Sequence, residues 1–241
     1  MPTPLPSSGA AELIAGADLA AARRSISGVA VHTPTIACED LAELAGTPVA
    51  LKAESLQGTG SFKLRGALRK VAALGERARA GLVTASAGNH GRAVARAAAV
   101  RGVRCEVFMP RDAAVSKVAE VERLGAQVQM GGASVEEALA LAAERAQAGG
   151  PEFVHPFDDL DVIAGQGTLG LELLEDVPGL ARAWWCRSVE AALPAGSGSH
   201  CAKRARRSSS WACRRGRAPP MWRRLRGLFP PPCWRSRPAR R

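Results

Sequence analysis

The residue with the most chemistry to offer is Lys63, within "ESLQGTGSFKLRGA" (residues 54–67). Most lysines are solvated surface charges. This one follows Thr59-Gly60-Ser61-Phe62 and precedes Arg65-Gly66-Ala67, at a predicted helix start. A lysine held in a partly desolvated pocket loses its proton readily and can attack a carbonyl to form a Schiff base. A second candidate is "SAGNHG" (86–91), placed between a predicted strand and a predicted helix. Small residues there let backbone N–H groups face an anion, with the helix dipole helping. Asn89 adds a side-chain donor. The same hexapeptide also reads as a glycine turn with an asparagine cap, and both readings stand at this point.

Regular elements must bring these residues together. Residues 1–9 are Pro/Ser-rich and read as loop, and a helix is predicted over 10–27, ending near Gly28. A strand follows over 47–54, then a helix over 60–76 that closes at Gly75. From there strands and helices alternate: strand 81–86, an alanine-rich helix 89–101 ending near Gly102, strand 104–110 and helix 114–124. Strand 126–131, helix 134–148, strand 152–156 and helix 159–176 complete the series. Such alternation implies βαβ units, a mostly parallel sheet and an α/β fold. In such sheets ligands sit beyond the carboxyl ends of the strands. Two loops fall there, 86–91 and "HPFDD" (155–159).

The formal charge of +11 suggests a polyanion partner until it is located. Residues 184–241 hold 14 Arg, 1 Lys and a single acid, Glu190, for a net of +14. Residues 1–183 carry 18 basic and 21 acidic residues, a net of −3. All five Trp and four of the six Cys also lie in the last stretch. Neither helical nor strand periodicity continues past about Ala183, and Pro clusters and Arg runs argue against a packed core there. No CxxC pair or Cys/His spacing suits zinc. Cys38 and Cys105 read as buried thiols of a cytoplasmic protein. The N-terminus has no signal-peptide pattern, and no apolar run is long enough for a membrane span.

Three segments together resemble a known family: "KAESLQGTGSFKLRGA", "TASAGNHGRAVA" and "HPFDDLDVIAGQGTLGLELLE". They are similar, in order and spacing over about 20–183, to the pyridoxal-phosphate enzymes of the tryptophan-synthase-β type. Within that type the resemblance is to threonine dehydratases (threonine ammonia-lyases) and serine racemases. It implies pyridoxal 5'-phosphate as cofactor and a small amino acid as substrate. Lys63 would hold the cofactor's aldehyde as a Schiff base and then remove the substrate Cα proton. Phe62 would pack against the ring, and Asn89 would hydrogen-bond its phenolic oxygen. Ser86, Ala87, Gly88, Asn89 and His90 would receive the substrate carboxylate. Loss of the Cα proton and then of the β-hydroxyl ends in a 2-oxo acid and ammonia.

Ala87 favours elimination. Racemases resembling this chain carry a second serine there to reprotonate Cα from the opposite face, and a methyl group cannot shuttle a proton. The alternative is a serine racemase or another β-eliminating member. Other residues read as structural. Asp158 and Asp159 suit the N-cap of the next helix. Lys117 reads as a surface charge, Gln166-Gly167-Thr168 as close helix packing, Cys105 as core, and His90 as a stacking or capping group.

The resemblance calls for a hydrophobic strand and a run of four glycines after "LELLEDVPGLAR", to cradle the cofactor phosphate. The chain instead reads "AWWCRSVEAALPAGSGSHCAKRA". A shift of frame accounts for this. Read from the third base of codon 183, with GC-rich synonyms where the code allows, the displaced frame gives VVVPVGGGGLASGIGIALREA. Residues 184–241 are therefore expected to be out-of-frame and disordered. The expected architecture is two-domain: a truncated large (cofactor) domain of 15–79 plus 151–183, and a small domain of 80–150. The resemblance implies a homo-oligomeric parent without membrane or specific nucleic-acid partners. The reading from another class is non-specific nucleic-acid binding through the Arg-rich tail, where net charge draws phosphates and Trp stacks on bases.

Overall fold

The structure is a computed structural model that describes residues 18–46 and 48–178. Helix α1 (Leu19–Ile26) starts where the Asp18 carboxylate accepts the Ala21 N–H at 2.8 Å. It buries Leu19, Ala22 and Ile26, one stripe of the helix. The hairpin-like pair β1 (Thr35–Ala37) and β2 (Ala50–Lys52) flanks α2 (Glu39–Ala45), and Ile36 lies opposite Leu51 in antiparallel register. The sequence reading put no element over 28–46. Strand β1 has only three residues and exposes Ile36, so it carries little pattern to read.

Helix α3 (Lys63–Leu74) follows, ending at Gly75 as expected. The βα series then appears in full: β3 (Leu82–Ala85), α4 (Asn89–Arg101), β4 (Cys105–Met109), α5 (Val115–Glu122), β5 (Gln127–Met130), α6 (Val135–Gln147), β6 (Glu152–Phe153) and α7 (Leu160–Asp176). The stops are chemical. Gly102 closes α4 in the left-handed region at φ +65°, where a Cβ is costly. Ser134 Oγ caps α6 by accepting the Glu137 N–H. Asp159 caps α7 by accepting the N–H groups of Asp161 and Val162. Of the two aspartates read as caps, only Asp159 is one.

The four-stranded sheet is parallel, in the order β5-β4-β3-β6. Strand β3 is central to the site and all four of its residues are buried. Its side chains alternate between two apolar layers. Leu82 joins Val107, Met109 and the alanines of α4, whereas Val83 and Ala85 pack on Ala138 and Ala142 of α6. Because β6 pairs directly with β3, the loops 86–88 and 154–159 leave the sheet side by side. Cys105 is core, as read, whereas Cys38 is half-buried at the start of α2 rather than buried.

Helix α3 reaches the same place from outside the sheet. It crosses α7 where Gly66 meets Gly165. A Cβ on Gly165 would lie 2.4 Å from the Arg65 carbonyl oxygen and 2.8 Å from Gly66 Cα. Only hydrogen fits, so this crossing fixes the height of the first turn of α3 and therefore of Lys63. Gln166 and Thr168 are buried at this crossing, in keeping with the packing role expected of them.

A buried ion network clamps the same pair of helices, and it was not anticipated from the sequence. Arg65, 1% exposed, pairs with Glu54 at 2.8 Å and with Glu172 at 2.6 Å. Lys52 links Glu172 to Asp176, each at 2.8 Å. Burial alone would lower the Arg65 pKa, but the hydrogen bonds it donates to Glu54 and Glu172 outweigh this and raise it. Burial would raise the Glu172 pKa, and Arg65 and Lys52 hold it below the usual range instead. The expected tail, 184–241, lies outside the described residues.

Candidate active site

Lys63 is the first residue of α3 and is 5% exposed. Its Nζ donates to the Pro156 carbonyl oxygen at 2.8 Å and lies 5.5 Å from the centroid of the Phe62 ring. Desolvation disfavours the ammonium form and lowers its pKa to about 8. A sizeable fraction is therefore unprotonated at mildly alkaline pH, the form that attacks a carbonyl. The turn ahead of it, Thr59 to Ser61, supplies two buried hydroxyls, Thr59 Oγ1 and Ser61 Oγ, without hydrogen-bond partners among the described residues. Buried polar atoms are normally satisfied, so two such hydroxyls in the turn that leads into α3 are unusual.

The loop after β3 lies beside this amine. Ser86, Ala87 and Gly88 are half-buried, and Asn89 is exposed at the first turn of α4. Ser86 Oγ accepts the Gly88 N–H at 3.1 Å, which curls the loop. Gly91 brings α4 close to that loop, since a Cβ there would lie 2.7 Å from the Ser86 carbonyl oxygen. Asn89 Oδ1 accepts a hydrogen bond from Arg92 Nη2. The Asn89 Nδ2 amine, the donor half, faces away from that cation by the chemistry of the amide. A cleft of about 420 Å³ is walled by Ala87, Gly88 and Asn89 of this loop and by Arg92, Lys117 and Glu120. Lys117 is exposed, as expected, although it edges that cleft.

His90 has its side chain elsewhere. It is buried and directed back beneath the sheet, with Nε2 3.1 Å from the Val154 carbonyl oxygen. A carbonyl can only accept, so Nε2 carries the proton. Burial lowers its pKa to about 3, and it stays neutral in ordinary buffers. Only its backbone N–H belongs to the loop. The sequence reading overlooked His155. Its Nδ1 accepts the Asp158 N–H at 2.8 Å, and its ring sits edge-on between Phe153 and Phe157. Burial lowers its pKa as well. The Pro156 carbonyl and Arg92 were also overlooked. The signal for Pro156 was its position just past a strand beside β3, and Arg92 lies one helical turn after Asn89.

A buried amine at the carboxyl end of a parallel sheet, on an α/β scaffold with a small-residue loop at the same sheet end, is an arrangement able to form a Schiff base with an aldehyde. These residues fit the aldehyde and ring end of pyridoxal phosphate. The chain belongs to the family described as pyridoxal-phosphate dependent enzyme, whose model matches residues 26–229. It is 46% identical over 162 residues to an L-threonine ammonia-lyase of Thermotoga maritima, covering 67% of this chain and 40% of that protein. It is 40% identical over 164 residues to a serine racemase of Dictyostelium discoideum, covering 68% of this chain and 51% of the other. Among solved structures, a threonine deaminase from tomato, Solanum lycopersicum (isoform 2, processed form), superposes with a TM-score of 0.68 at 29% identity, over 86% of this chain and 56% of that one. The chain spans about half, or less, of the length of the curated relatives it matches. No helix among the described residues is long and apolar enough to cross a membrane.

Proposed function

We propose that this chain carries the lysine half of a pyridoxal-phosphate-dependent lyase that converts L-threonine, and L-serine, to a 2-oxo acid and ammonia. The observation that carries this reading is Lys63: buried, held by the Pro156 carbonyl and with a pKa near 8. When bound, the cofactor supplies an electron sink that makes the substrate Cα–H acidic.

The chain's own residues do the rest. Lys63 would hold the cofactor's aldehyde, and its Nζ would accept the substrate Cα proton. Phe62 would pack beside the ring. Asn89 Nδ2 would donate to the phenolic oxygen. The backbone of residues 86–90 receives the substrate carboxylate at the start of α4, where N–H groups converge. The neutral, buried His90 side chain takes no proton-transfer part.

Support for elimination comes from Ala87, which has no proton to return to Cα, and from the threonine ammonia-lyase relatives. The serine racemase relatives favour a second reading, racemisation of serine. An assay of the frame-restored protein separates the two. It should form 2-oxobutyrate from L-threonine and pyruvate from L-serine. Accumulation of D-serine as the main product from L-serine would decide for racemisation.

A further inference from the structure

Asn89 and Arg92 stand one turn apart on α4, and Arg92 Nη2 donates to Asn89 Oδ1. The same guanidinium reaches over to α5, where Nη1 donates to Glu120 Oε2 at 3.0 Å. Arg92 is thus tethered from a second helix while it holds the asparagine. An asparagine amide has an accepting end and a donating end of similar size, and its outer torsion is soft. Turned over, it would aim its own N–H groups at a cation. The arrangement therefore selects one orientation, with Oδ1 on Arg92 and Nδ2 on the opposite side.

A phenolate oxygen only accepts, so Nδ2 is the end it requires. We infer that Arg92, held by Glu120, is a positioning residue that fixes the Asn89 amide with its donor toward the phenolic oxygen of the cofactor. This rests on the cofactor reading given under Proposed function. It adds that a contact from the next turn of α4 sets the orientation of the ring's partner. Arg92 and Glu120 also wall the cleft of about 420 Å³, so neither is part of the packed core.

The test uses the full 241-residue chain titrated with pyridoxal phosphate. Bound aldehyde is trapped by borohydride, and Lys63 modification is quantified by peptide mass. The ratio of the two cofactor absorbance bands, which follows protonation of the phenolic oxygen, is read alongside. Asn89→Ala should raise the concentration for half-labelling about fivefold, the size of one net hydrogen bond. Arg92→Leu and Glu120→Ala should raise it roughly two- to fivefold and shift the band ratio in the same direction. Arg92→Gln, which keeps a donor for Oδ1, should restore most of both. Arg92→Leu added to Asn89→Ala should have no further effect.

If the wild type is labelled at Lys63 and Asn89→Ala responds while Arg92→Leu behaves as wild type, the inference is overturned. Additive effects in the double variant would overturn it too, because Arg92 would then act independently of Asn89. No trapping at Lys63 in the wild type would remove the cofactor reading itself and the inference with it. That result is distinct, because every variant would then be equally silent. Matching thermal melts for the variants assign the changes to the amide rather than to the fold.

Discussion

The Lys63 amine and the Pro156 carbonyl oxygen, 93 residues apart in sequence, meet at 2.8 Å beneath the carboxyl ends of β3 and β6. A carbonyl is a weak counterpart for an ammonium. It orients Nζ, and desolvation by burial lowers the pKa to about 8. Reactivity toward an aldehyde should therefore titrate near pH 8. Trapping of pyridoxal phosphate at Lys63 should rise about tenfold per pH unit below that point and level off above it. A rate still climbing at pH 10 would show an ordinary, solvated lysine.

The same shift has a consequence for stability. The folded chain releases the Lys63 proton near pH 8, the unfolded chain near 10.5. Between these values the unfolded state binds more protons, so stability rises with pH. Wild type should gain about 3 kcal/mol on Lys63→Met across the window, measured by denaturant unfolding. Cys105 acts in the opposite sense, because burial raises its pKa from 9.0 to about 12 and so costs stability above pH 9. It is common to both proteins and cancels in the comparison. A constant difference between them from pH 7 to 10 would contradict the burial of Lys63.

The α3–α7 crossing predicts a steric penalty. Gly165→Ala places a Cβ 2.4 Å from the Arg65 backbone oxygen, and a backbone atom cannot swing aside as a side-chain end can. The helices must separate, at a cost of roughly 1–3 kcal/mol. Since α3 begins with Lys63, trapping at that residue should also weaken. Unfolding within about 0.5 kcal/mol of wild type would mean that α7 moves without resistance.

Removing the cation at the centre of the ion network is predicted to be worse. Arg65→Met leaves the Glu54 and Glu172 carboxylates facing each other with much less compensation, and should cost about 3–5 kcal/mol at pH 7. In wild type the Glu172 pKa is depressed, so its contribution is present above the ordinary carboxylate range and fades as pH falls. The gap between wild type and Arg65→Met should therefore narrow toward pH 4. A gap that widened there would show that the methionine fails for reasons of shape rather than charge.

The parallel unit was legible because its punctuation is local. Gly75, Gly102, Ser134 and Asp159 stop or start helices through backbone freedom or local side-chain hydrogen bonds, which the sequence displays. Strand β2 fell within the strand expected over 47–54, but its partner β1 did not show, because three residues with Ile36 exposed have no buried face to give them a period. In the site, Lys63 and the loop around Asn89 stood out by composition. Their partners did not: Pro156 offers only a carbonyl, Arg92 resembles any surface cation of a helix, and the Arg65 network joins residues up to 124 apart. The direction of the His90 ring was equally hidden, since it depends on β6 lying next to β3.

The remaining prediction concerns the phosphate. The residues of the lysine site fit the aldehyde end of the cofactor, but a phosphate needs converging N–H groups of its own. The sequence has no four-glycine run; the displaced frame expected from codon 183 would supply one, although the family match itself extends to residue 229. The nucleotide sequence should therefore encode VVVPVGGGG in the displaced frame without a stop. A stop there, or codons that break the glycine run, would end the idea of a shifted frame. The chain as it stands should hold pyridoxal phosphate poorly, with no cofactor band surviving desalting and little or no deaminase activity. The frame-restored protein should keep a band that Lys63→Ala abolishes. A stable, Lys63-dependent band in the 241-residue product would show that it cradles the phosphate without that glycine run.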